Sequence, residues 1–161
     1  MSNSLVHASC VALGAHAALL IGPSGSGKSD LALRFLALDD ASQLVADDQV
    51  EIERQGDRLV ARAPEAISGL LEVRGLGLWR VAPLASAELA LIVNLVPRDA
   101  VPRLPESQFA ALMGVDLPSL ALHAFDASAP IKLRVALRTV ALLGLETIQK
   151  SGFPDKDGKF G

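Results

Sequence analysis

Residues 22–29 read Gly-Pro-Ser-Gly-Ser-Gly-Lys-Ser, a complete G-x-x-x-x-G-K-[ST] pattern, and this octet constrains the fold more than any other feature. An apolar, β-favouring run, AALLI at 17–21, precedes it. KSDLALRFLAL follows, with Leu31, Phe35 and Leu38 at helical spacing and Asp30 and Arg34 off that stripe. Strand, glycine-rich loop and helix in this order are the context the pattern requires. Glycines allow backbone N–H groups to wrap phosphate oxygens, and the helix starting near Lys28 adds the positive end of its dipole. Gly22, Pro23, Ser24, Gly25, Ser26, Gly27, Lys28 and Ser29 are therefore the candidate nucleotide cradle. Lys28 is expected to reach the β- and γ-phosphates, and the Ser29 hydroxyl to be a magnesium ligand. The competing reading is a glycine-rich turn before an ordinary helix.

With 161 residues, the chain has material for one domain. Half of the residues are hydrophobic and 20% are charged, which excludes disorder for the bulk of it. A net charge of −3, without a basic stripe interleaved with aromatics, argues against nucleic acid as a partner. The single cysteine, Cys10, excludes an intrachain disulfide and a zinc site of ordinary spacing. No apolar run approaches the roughly 18 residues of a membrane span, and the N-terminal MSNSLVHASC lacks a secretory pattern. The expectation is a cytoplasmic protein without a membrane partner.

Runs 5–13 and 17–21 are expected as strands joined at Gly14-Ala15-His16, and the helix after the cradle as about three turns. LVA at 44–46 ends at Asp47-Asp48, and residues 50–64 form a hairpin turning at Gln55-Gly56-Asp57. Further strands are expected within 70–81, 88–96 and 119–125, with Pro97 to Pro105 as a surface loop. Pro130 starts a last helix through about Lys150, its apolar positions including Leu133, Leu137, Leu142 and Leu145, with Gly144 a weak point. The folded domain is placed at 1–150 and a frayed tail at 151–161.

A right-handed crossover after the cradle runs the strand ending at Ala46 parallel to the one ending at Ile21, which delivers Asp47 and Asp48 to the phosphate edge. Two adjacent acids there, Asp47 and Asp48, divide two tasks: one holds the metal shell and the other accepts the proton of an attacking hydroxyl. Without the cradle, the same pair reads as a solvated turn. Glu72 alternates with Arg74 along LLEVRGLG at 70–77. It either pairs with Arg74 or supplies a second carboxylate for magnesium.

The blocks at 22–29, VADDQVEI at 45–52 and LLEVRGLG at 70–77 together resemble the catalytic domain of HPr kinase/phosphorylase, the bacterial serine kinase acting on the phosphocarrier HPr. The similarity spans roughly residues 5–150 and is closest to short forms without the family's N-terminal domain. It implies an α/β phosphate-loop kinase core of the type shared with phosphoenolpyruvate carboxykinase, a mixed sheet with the cradle helix and a C-terminal helix. ATP and Mg2+ as cofactors, an HPr-like phosphocarrier as partner, and a homo-oligomer, hexameric in the family, are implied likewise. By motif, His7 and Lys28 are catalytic positions, Ser29 and Glu72 metal ligands, and Asp48 the proton acceptor in phosphorylation and donor in the reverse reaction, which leaves Asp47 to the metal shell. Residues 71–80 match a stretch used in both directions, and Arg103 in VPRLPE matches the arginine of a Tyr-x-Arg-x-Gly segment.

Two departures stand out. Where longer members carry Pro-x-Arg-Pro-Gly-Arg, residues 124–130 read AFDASAP, without either arginine. Dephosphorylation, tied to that loop in the family, is not carried over. A terminal helix that contacts neighbouring subunits and HPr in longer members is also expected to be missing. The rival readings are a small-molecule kinase, which would carry an arginine-rich lid, and a nucleotide-sensing module without transfer.

Overall fold

The computed structural model describes residues 2–144. The elements, in chain order, are β1 (Asn3–His7), β2 (Ser9–Leu13), β3 (His16–Ile21), α1 (Lys28–Leu36), β4 (Ser42–Ala46), β5 (Gln49–Gln55) and β6 (Arg58–Arg62). They continue as β7 (Leu70–Val73), β8 (Gly77–Arg80), β9 (Ala87–Leu95), β10 (Gln108–Leu112), β11 (Val115–Leu122) and α2 (Ala129–Leu143). Nine strands form one mixed sheet running β1-β5-β6-β9-β3-β2-β4. β3 and β9 pair in parallel, and β11 joins β9 in parallel at Ile92–Leu95. β2 lies antiparallel between β3 and β4, so the strand ending at Ala46 does run parallel to the one ending at Ile21. β7 and β8 form a separate hairpin.

Alternate residues of β3 serve opposite faces, so the run AALLI is apolar throughout. Ala18 and Leu20 pack with Leu31 and Phe35 of α1 and Leu133 and Leu137 of α2. Ala17 and Leu19 face the other way, toward Val50 and Ile52 of β5, Leu59 of β6 and Leu117 of β11. Both helices thus cover one face, while the curled sheet encloses the second core itself. On α1 the buried stripe is Lys28, Leu31, Ala32 and Phe35, and the off-stripe Arg34 pairs with Asp30 at 2.9 Å.

Several boundaries differ from the expectation. The run 5–13 is two strands: β1 pairs with β5, and after Ala8 the chain crosses to pair as β2 with β3 and β4. One apolar run can serve two partners because periodicity records burial and not pairing. β10 has no counterpart in the expected elements, since Gln108–Leu112 is short and largely exposed. β11 begins at Val115, and its Pro118 precedes the segment paired with β9, where a missing N–H costs no ladder bond. α1 stops at Leu36, leaving Leu38 beyond it. α2 stops at Leu143, capped by Gly144 at φ 81°, and Leu142 is exposed. Leu145 and the expected tail lie outside the described residues.

Candidate active site

Because β3, β4, β9 and β11 run parallel and β2 opposes them, one edge of the sheet collects their C-terminal ends and the start of β2. The cradle leaves β3 there. Gly27 ends it at φ 96°, a left-handed conformation, and no side chain caps the N-terminus of α1. The first N–H groups of the helix thereby stay available to an anion. A Cβ at Gly27 would lie 2.7 Å from the Ala124 Cβ and 3.0 Å from the Phe125 ring, so the close approach of the loop after β11 also requires glycine.

Lys28 is only 8% exposed, and its Nζ donates to the carbonyls of Gly22 at 2.6 Å and Pro23 at 3.0 Å. Two of three ammonium donors therefore shape the loop and one is left over. Ser26 Oγ is buried in the same loop without a hydrogen-bond partner.

Asp47 directly follows β4 and is 5% exposed. Its Oδ1 accepts from Ser29 Oγ at 2.8 Å and from Ser9 Oγ at 2.6 Å, and its Oδ2 from the Glu72 backbone N–H at 3.1 Å. These bonds satisfy a carboxylate that burial would otherwise penalise. Asp48 sits at the apex of a three-residue turn, with φ 71° and the Gln49 N–H donating to the Asp47 carbonyl at 2.9 Å. Asp tolerates this left-handed backbone better than most residues, and strained turns concentrate at functional sites. The turn sends the two acids apart. Asp47 points into the protein, whereas Asp48 points out and meets His7 Nε2 at 2.9 Å, the two side chains being 68% and 58% exposed.

The sequence-expected residues fall into two groups. His7, Lys28, Ser29, Asp47 and Asp48 converge on the cradle edge. Glu72 approaches through its backbone; its exposed carboxylate meets no other described residue, Arg74 included, because Arg74 lies in the turn beyond β7. Arg103 is exposed in the connection between β9 and β10, which leaves β9 at the same edge, without a bonded partner among the described residues. Sequence reading missed Ser9, whose one signal is a polar residue inside an apolar run. It also missed the tethers of the loop after β11. Arg34 donates to the carbonyls of Ala124 and of Asp126, and Arg98 to Asp126 Oδ1 at 2.7 Å. The hydrogen bond from Arg98 holds the Asp126 carboxyl below its ordinary pKa.

Among the described residues, no three His, Cys, Asp or Glu side chains cluster as a ready-made metal cage. The donor set nevertheless fits Mg2+, which takes one or two protein oxygens and completes its shell with phosphate and water. Ser29 and Asp47 present hard oxygens side by side at the mouth of the cradle.

A mixed sheet, a glycine cradle at a helix N-terminus and a buried acid behind its serine define a phosphate-loop α/β domain. The family model described as HPr Serine kinase C-terminal domain matches residues 1–125, and the chain belongs to that family. HPr kinase/phosphorylase of Halalkalibacterium halodurans is 40% identical over 132 residues, covering 74% of this chain and 42% of the relative. The protein of that name from Burkholderia cenocepacia is 33% identical over 162 aligned positions, 88% of this chain and 50% of its own length. The chain thus spans about half the length of the curated relatives it matches. Among solved structures, the Hpr(Ser) kinase/phosphatase from Coxiella burnetii superposes with a TM-score of 0.75 at 21% identity, covering 86% of this chain and 97% of the other. That likeness establishes the shared fold. No helix among the described residues is long and apolar enough to cross a membrane.

Proposed function

We propose that this domain transfers the γ-phosphoryl group of ATP, with Mg2+, to a serine of an HPr-like phosphocarrier. The names of its relatives support the substrate. The observation that carries the chemistry is the meeting of Ser29 and Asp47 at 2.8 Å with Asp48 next in the chain, which puts cradle, metal oxygens and an outward-facing acid on one edge. Loop amides and Lys28 hold the β- and γ-phosphates and neutralise charge as it moves between them. Ser29 and Asp47 would hold the magnesium ion, and Glu72, whose backbone N–H meets Asp47, is the further acid assigned to its shell. Bound there, the ion would offset the charge of the phosphate oxygens.

Asp48 is the proton acceptor. His7 occupies its Oδ1, leaving Oδ2 to take the proton of the incoming serine hydroxyl, and His7 acts as a positioning residue. Arg103, on the connection that leaves β9, is assigned to the transferred phosphoryl group. The reading covers forward transfer only, since residues 124–130 lack the arginines that the family ties to the reverse reaction.

Radiolabelled ATP, magnesium and a cognate HPr test this directly. Label should appear on serine, and Lys28→Ala should abolish transfer. Asp48→Asn keeps a side chain that tolerates φ 71° and should slow transfer about 10²- to 10⁴-fold without unfolding the domain. Unchanged transfer by Asp48→Asn would refute the proton-acceptor role.

A further inference from the structure

The loop after β11 carries an aromatic ring that neither the cradle nor the acids use. Phe125 is 54% exposed, yet it is held on two sides. Its ring abuts Gly27 at the start of α1, and it packs edge-to-face on His123 with centroids 5.8 Å apart. His123 is anchored in turn, its Nδ1 lying 3.0 Å from the Val96 carbonyl oxygen. Arg34 and Arg98 fasten the residues on either side of Phe125. An exposed phenylalanine on a firmly tethered loop is an available apolar face and not a frayed one.

Its position in the sheet gives the ring a direction. From β3, the acids lie two strands away on one flank, across β2 at the end of β4. Phe125 lies two strands away on the other flank, across β9 beyond the end of β11. A triphosphate in the cradle with its terminal phosphate toward Ser29 and Asp47 has the opposite flank open to its nucleoside. Resting on the nucleotide reading above, we infer that Phe125 is the stacking platform for the nucleobase of the bound triphosphate, with Gly27 and His123 fixing the ring. A π-face accepts any base, so the platform supplies affinity for nucleosides without choosing between purines. Polar groups of a base edge would have to be read elsewhere.

Inorganic tripolyphosphate separates this platform from the cradle, because it fills the phosphate subsites and has no base. Calorimetric titration of the full chain with magnesium should show ATP binding more tightly than tripolyphosphate. In Phe125→Ala the ATP dissociation constant should rise about tenfold or more, toward the tripolyphosphate value, while that for tripolyphosphate stays put. Phe125→Trp should keep the preference for ATP. An unchanged ATP constant in Phe125→Ala overturns the platform, whether or not transfer to the carrier falls, and so does an equal loss of both ligands. Failure of the unaltered chain to bind either ligand overturns the cradle reading, and the platform with it.

Discussion

Ser9 and Asp47 stand 38 positions apart, yet the serine hydroxyl donates to the buried carboxylate at 2.6 Å. The bond joins the start of β2 to the end of its antiparallel neighbour β4, and it orients the acid that faces the cradle serine. Ser9→Ala would leave Asp47 with its bonds to Ser29 and Glu72 but one fewer donor in a buried place. Hydrogen bonds to charged groups are worth about 1.5–3 kcal/mol, and urea unfolding should show a loss of that size. A variant as stable as the parent would mean that the pair is incidental.

Gly27 and Gly25 offer a paired measurement. Both adopt left-handed backbone, at φ 96° and φ 83°, but only a Cβ at Gly27 would strike the Ala124–Phe125 loop. Gly25→Ala should lose about 1–2 kcal/mol of stability for the backbone alone. Gly27→Ala should lose about 1–3 kcal/mol more for the clash, and hydrogen exchange should speed up in residues 123–126. Equal losses in the two variants would place that loop away from the cradle.

Cys10 is completely buried on β2, and burial pushes its thiol well above the ordinary range. The native protein should resist thiol reagents at pH 8 and react only on unfolding, so labelling kinetics would report global opening. The raised value also fixes a sign. Above about pH 8.5 the unfolded chain releases this proton while the folded one retains it, so stability falls as pH rises. In Cys10→Ala that alkaline slope should shrink in denaturant titrations at pH 7 to 10.

The cradle, the first helix and the acid pair were legible because each is local. A glycine pattern between an apolar strand and an amphipathic stripe allows few other structures, and the crossover rule carries Asp47 and Asp48 to the right edge without coordinates. The split of residues 5–13 was not legible, since hydrophobic alternation says that a strand is buried and not which strand it joins. Nor was β10, whose residues are short and mostly exposed. Glu72 shows a subtler gap: alternation places its side chain on a face, but the contact with Asp47 comes from its backbone N–H.

The amino-acid sequence alone therefore determined a phosphate cradle, its helix and two acids delivered beside it, because these follow from neighbours in the chain. Only the tertiary structure decided which acid turns inward. It also decided that Ser9 and His7 attend the pair and that Phe125 rests on Gly27 across the opposite flank. Those contacts join residues dozens of positions apart through the order of strands in a sheet, which closure of the whole chain settles and no local pattern encodes.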